Sequence, residues 1–67
     1  GTKACVIEIK VCKEKESRAK KANEAIEQIL EKRYADAIFE DENITSVNAI
    51  GIAFSGKNCA VSVKKLK

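Results

Sequence analysis

The apolar period of this chain switches twice, and that switch limits what it can fold into. Over residues 3–12 apolar side chains alternate with a period of two, over 17–39 they recur every three to four positions, and over 45–66 the period returns to two. Alternation marks a strand and the longer period marks a helix. The chain therefore reads as strand 3–12, helix 17–39, and strands 45–55 and 59–66. A strand that reaches the next strand through a helix pairs with it in parallel, by a right-handed crossover. The expected fold class is α/β (α+β): a β-α-β-β unit with a three-stranded mixed sheet and one long amphipathic helix on one face.

In the first strand Cys5, Ile7, Ile9 and Val11 share one face, and Ala4, Val6, Glu8, Lys10 and Cys12 share the other. Apolar residues on both faces at its start point to a central, covered strand. In the helix Ala19, Ala22, Ile26, Ile29, Leu30, Arg33, Tyr34 and Ala37 form the inner stripe. Ser17 suits the N-cap, and the far end is liable to fray or break near Asp36. The acidic turn Glu40-Asp41-Glu42-Asn43 closes this section. Ser55-Gly56-Lys57-Asn58 is a tight-turn signal, so the last two strands form an antiparallel hairpin. One helix covers only one face of the sheet. The face holding Ile50 and Ile52 is expected to stay partly bare, as if awaiting a missing element or a second copy.

Sixty-seven residues make one domain or a fragment of one. Charged residues at 34% and apolar residues at 45% argue against disorder. Apolar runs are too short to span a membrane. A net charge of +3 is mild and compatible with weak attraction to phosphates. Cys5, Cys12 and Cys59 are odd in number, form no C-x-x-C pair and have no histidine to join them, which argues against a disulfide framework or a zinc site. All three are expected to be small packing residues, and free thiols point to the cytoplasm.

Glu8 and Lys10 interrupt an otherwise apolar strand, and their spacing of two sends both side chains to the same face. A carboxylate and an ammonium placed there cost desolvation unless something uses them. A metal-dependent nuclease would use both. The carboxylate offers hard oxygen to Mg²⁺, and the lysine can activate water or stabilise charge on a phosphate. The competing reading is a solvent-facing charged pair on the exposed side of the sheet. The basic residues Lys13, Lys15, Arg18, Lys20 and Lys21 gather where strand passes to helix. They suit contact with a phosphate backbone, or else a solvated loop with Glu14 and Glu16 as partners.

Val6-Ile7-Glu8-Ile9-Lys10-Val11 resembles the E-x-K strand of the PD-(D/E)XK nuclease superfamily. Residues 24–35, EAIEQILEKRYA, resemble the A-L-x-Q-I-x-x-K-x-Y-A helix of the nuclease-like domain that ends a family of bacterial AAA-ATPase-like proteins. Ile50-Gly51-Ile52-Ala53-Phe54-Ser55 is similar to that family's next strand, I-G-V-N-F-S. The three blocks stand in the right order and cover nearly the whole chain.

The resemblance implies a fragment of the restriction-endonuclease-like fold, acting on nucleic acid, DNA in the first instance, with Mg²⁺ in the intact domain. Glu8 would be a metal ligand together with the Ile9 carbonyl, Lys10 the catalytic lysine, and Gln28 and Tyr34 would lie near the site or the nucleic-acid backbone. On the helix wheel, however, Tyr34 falls beside Leu30 and Ile26, a core position, and Gln28 falls nearly opposite the apolar stripe. The superfamily motif also needs an Asp on the strand before E-x-K, which these residues do not contain. The partner implied is an upstream part of the same protein, and the isolated chain is expected to be inactive. The alternative is a catalytically inert interaction or nucleic-acid-binding module of the same fold.

Overall fold

The computed structural model of the protein describes residues 1–13, 17–32 and 36–67. Its elements run β1 (Thr2–Val11), α1 (Arg18–Glu31), α2 (Asp36–Glu40), β2 (Ile44–Ser55) and β3 (Asn58–Lys65). The strands form one sheet in the order β1-β2-β3. β1 pairs with β2 in parallel and β2 with β3 antiparallel. This is the mixed three-stranded sheet and helix that the apolar periods predict.

The position of β1 differs from expectation. It is an edge strand, and β2 is the central one. The apolar content of both faces of β1 therefore exceeds what these three strands and their helix can cover. Only the side carrying Ala4, Val6, Glu8, Lys10 and Cys12 has a helix over it, while Ile7, Ile9 and Val11 face away and are exposed.

α1 begins where the sequence says it should. Ser17 adopts extended backbone angles and its hydroxyl accepts the Lys20 N–H at 3.3 Å, satisfying one of the orphan amides of the first turn. The helix expected over 17–39, liable to break near Asp36, is divided among the described residues. α1 stops at Glu31, with Lys32 as C-cap, and a one-turn α2 starts at Asp36. Arg33 and Tyr34, together with the side chain of Ala37, lie outside the described residues. Within α1 the buried residues are Ala22, Ala25, Ile26 and Ile29. Ala19 and Leu30, both placed in the stripe by periodicity, are exposed. The stripe is rotated toward Ala25.

Gly51 explains the rotation. A Cβ built on Gly51 would lie 2.1 Å from the Ala22 carbonyl oxygen and 3.1 Å from the Ala25 Cβ. The helix backbone rests directly on the glycine of the central strand, and only small side chains fit at that crossing. Two apolar clusters flank it. Cys12, Ala22 and Ala53 pack with Ala60 toward one end, and Ile26, Ile29 and Ala49 pack with Val6 and Leu66 toward the other. The hairpin closes through Gly56 and Lys57, with Gly56 at φ +59°, the left-handed conformation that a tight two-residue turn requires at its first position. The acidic turn is an Asx turn: the Asn43 N–H donates to Asp41 Oδ1 at 2.9 Å and the Ile44 N–H to the Asp41 carbonyl at 3.1 Å.

The sheet face away from the helix is bare, as expected, and more extensively than Ile50 and Ile52 alone imply. Ile9, Val61 and Val63 are each about 60% exposed, and Val11 is 82% exposed. Cys5 and Cys59 also lie exposed, so only Cys12 is the buried packing residue that all three cysteines were expected to be. The reason is positional: a thiol packs only where an element covers its face. Among the described residues no helix is long and apolar enough to cross a membrane.

Candidate functional site

Glu8 and Lys10 project from β1 on the side that α1 covers, which overturns the reading of a charged pair on the open face of the sheet. The open face carries the apolar residues instead. Both charged side chains are half-buried. In the sheet Glu8 stands level with Gly51, and Lys10 with Ala53. Gly51 lies beneath Ala22 and Ala25, so the pair faces the first half of the helix across its flank.

Which flank this is follows from Asn23. Its side-chain oxygen accepts the Ser62 hydroxyl of β3 at 2.5 Å, so that side of α1 leans toward β3. Lys21 and Gln28 stand about 160° and 140° around the helix from Asn23. They occupy the opposite flank, toward β1, and both are half-buried. Gln28 is therefore not turned to solvent, as the helix wheel predicted. The wheel centred the inner stripe on residues that included Leu30, whereas contact with Gly51 recentres it between Ala22 and Ala25 and carries Gln28 toward the sheet. By helical geometry Lys21 and Gln28 thus fall on the flank of α1 nearer β1, the strand that carries Glu8 and Lys10.

Lys21 already has an ionic partner, with its Nζ 3.5 Å from Glu24 Oε2 one turn on. Among the described residues, neither Glu8 nor Lys10 has a side-chain hydrogen bond or ion pair. Two half-buried charges without partners are an energetic cost for a chain this small.

The described members of the basic cluster stand at different places in the fold. Arg18 sits at the inner start of α1, Lys20 points outward and is exposed, Lys21 lies on the β1 flank, and Lys13 is exposed beyond the end of β1. Successive helical residues diverge by about 100°, which scatters side chains that are neighbours in sequence. Lys15 and Tyr34 lie outside the described residues.

The Mg²⁺ donors available are the Glu8 carboxylate and the Ile9 carbonyl between the two charged residues. Among the described residues no group of three or more Asp, Glu, His or Cys side chains could hold a metal. Mg²⁺ demands near-octahedral oxygen ligation, and one carboxylate with one carbonyl does not supply it. These residues fit half of a metal site.

Glu8 and Lys10 share one face of β1, Cys12 follows just past its end, and that line runs into an open cleft of about 550 Å³. Cys12, Arg18, Ser55, Gly56, Lys57 and Asn58 line it. Sequence reasoning passed over Lys57 because a turn signal already accounts for its position. The signal that would have found it is topological: in a parallel β-α-β unit the end of the first strand, the start of the helix and the end of the second strand converge.

No curated protein and no solved structure gives a significant match to this chain. A family model does, that of the PD-(D/E)XK nuclease superfamily, over residues 1–64. The match includes the strand bearing Glu8 and Lys10, the helix laid across it and most of the hairpin. With nearly its whole length matched, and with its acid-x-lysine pair on the helix-covered face of a mixed sheet, the chain belongs to the PD-(D/E)XK nuclease superfamily.

Proposed function

We propose that this chain is the Glu-x-Lys half of a nuclease-like site that hydrolyses nucleic-acid phosphodiesters, DNA foremost, with Mg²⁺. The observation that carries the reading is that Glu8 and Lys10 are half-buried on one face of an edge strand and have no partner among the described residues. Charges set in an otherwise apolar strand and left without partners are open to a metal and a phosphate.

Each residue has a role in this reading. The Glu8 carboxylate and the Ile9 carbonyl would be this chain's contribution to holding the metal. Bound Mg²⁺ would polarise the phosphoryl oxygen and lower the pKa of attacking water. The Lys10 ammonium faces the same side and offsets the charge that builds on the phosphate. Gln28 helps to orient water or substrate from the helix flank. The second anionic ligand comes from an upstream strand of the same protein that pairs with the open edge of β1, an edge ten residues long. The upstream region is expected to be ATPase-like and the setting cytoplasmic, where the three thiols stay reduced.

The test is to express the chain together with the region encoded before it. Mg²⁺-dependent cleavage of DNA should appear and be lost in Glu8→Gln and in Lys10→Met. Cleavage unaffected by both substitutions would overturn the assignment.

A second reading, an inert interaction module of the same fold, draws on the bare sheet face with Ile7, Ile9, Val11, Phe54, Val61 and Val63 exposed. A non-acidic residue at the upstream position next to Glu8 would favour it.

A further inference from the structure

The cleft beyond Lys10 is not accounted for by the Glu8–Lys10 pair. We propose that it is a phosphate subsite, holding the phosphodiester next to the one that Glu8 and Lys10 face. The inference rests on the nuclease-like reading for its neighbour, but the cleft itself stands on separate observations.

The first is its lining. Arg18 from the start of α1 and Lys57 from the hairpin turn bring two cationic side chains from different elements to one cleft. Ser55 and Asn58 add neutral hydrogen-bonding groups, and no carboxylate lines the cleft among the described residues. The first turn of α1 likewise carries no acidic residue. Two cations with neutral hydrogen-bonding groups form a receptor for a negatively charged, oxygen-rich group.

The second is its position. Cys12 is part of the cleft wall and stands two residues beyond Lys10, just past the end of β1. Two strand residues cover about 6.6 Å, comparable to the separation of neighbouring phosphates along one nucleic-acid strand. A strand lying along β1 with one phosphate at Glu8 and Lys10 would therefore bring the next to Arg18 and Lys57.

The third is the build of the turn. Gly56 has no side chain, and a Cβ placed on it would meet nothing within 4 Å. The mouth of the cleft is open at this point, so a polymer can enter and leave and need not be enclosed.

The experiment uses the ¹⁵N-labelled chain, titrated with inorganic phosphate and with short single-stranded DNA, reading amide shifts and affinity against salt. Shifts should concentrate at Cys12, Arg18 and residues 55–58. Arg18→Ala/Lys57→Ala should weaken DNA binding at least tenfold and reduce the slope of log K against log salt by about 1.4, the value for two lost contacts to a single strand. Lys3→Ala/Lys67→Ala removes the same charge at the opposite end of the sheet and should change affinity less than twofold. All four residues are exposed, and an otherwise unchanged spectrum verifies the fold.

Equal weakening by the two double variants, or shifts spread away from the cleft, would overturn the subsite. Retained cleft shifts in Glu8→Gln, with no Mg²⁺-dependent cleavage by the chain expressed together with the region encoded before it, would sink the catalytic reading and leave the subsite standing. Loss of cleft shifts alongside Mg²⁺-dependent cleavage by that longer protein would do the reverse.

Discussion

Gly51 lies directly beneath Ala22: the hydrogen on its α-carbon occupies the only space left under the Ala22 carbonyl, 2.1 Å from where a methyl carbon would sit. This contact fixes how close α1 comes to the sheet and how it is rotated. Both consequences reach Glu8, the β1 partner of Gly51. A helix held farther off would leave Glu8 in open water, and a helix rolled the other way would carry Gln28 away from it.

Gly51→Ala should therefore cost about 1–3 kcal/mol, the range for overpacking a tight core contact. The clash is with helix backbone, which cannot swing aside as a side chain can. Urea denaturation measures it. A loss below about 0.5 kcal/mol would show that the helix can lift off the strand without penalty.

Ser17→Ala should destabilise the chain by about 1 kcal/mol, because the Lys20 N–H loses its capping acceptor. Ser17→Asp should retain the cap and add a favourable interaction with the helix dipole. Thermal melts followed by circular dichroism separate the two. Equal melting temperatures would remove the cap from the account of where α1 begins.

Neutral replacements at the reactive pair should behave opposite to ordinary charge deletions. Glu8→Gln and Lys10→Met should change stability by less than about 1 kcal/mol or raise it, since half-buried charges without partners are relieved of their desolvation cost. Chemical denaturation is the measurement. A loss above about 2 kcal/mol from either would mean that the pair supports the fold and is not held for a ligand.

The isolated chain should neither cleave DNA nor bind Mg²⁺ tightly, for want of a second carboxylate beside Glu8. Incubation of plasmid with the chain and Mg²⁺, with Lys10→Ala as control, decides this. Mg²⁺-dependent cleavage that disappears in the variant would show that the site is complete within these residues.

The open sheet face should bind hydrophobic dyes. Val11→Thr with Val61→Thr should reduce that fluorescence by about half while shifting stability by no more than about 0.5 kcal/mol, because both side chains are largely exposed in the folded state. A marked drop in stability would place these residues in an interface between copies, which sedimentation would then reveal.

The order of elements, the parallel crossover, the hairpin and the helix N-cap were all legible in the residues, because each depends on near neighbours: side-chain period, a capping serine, a glycine where the turn needs positive φ. The same-side placement of Glu8 and Lys10 was legible too, since alternation along a strand is fixed by the backbone. What no local pattern contains is which face the helix lies on, how it is rotated, and what meets at the ends of the elements. Those were decided by packing. A glycine in the central strand admitted Ala22 and Ala25, drew Gln28 toward β1, left Leu30 outside, and set Lys57 across a cleft from Arg18. These contacts join residues tens of positions apart, and steric fit between surfaces brings them together where sequence spacing cannot.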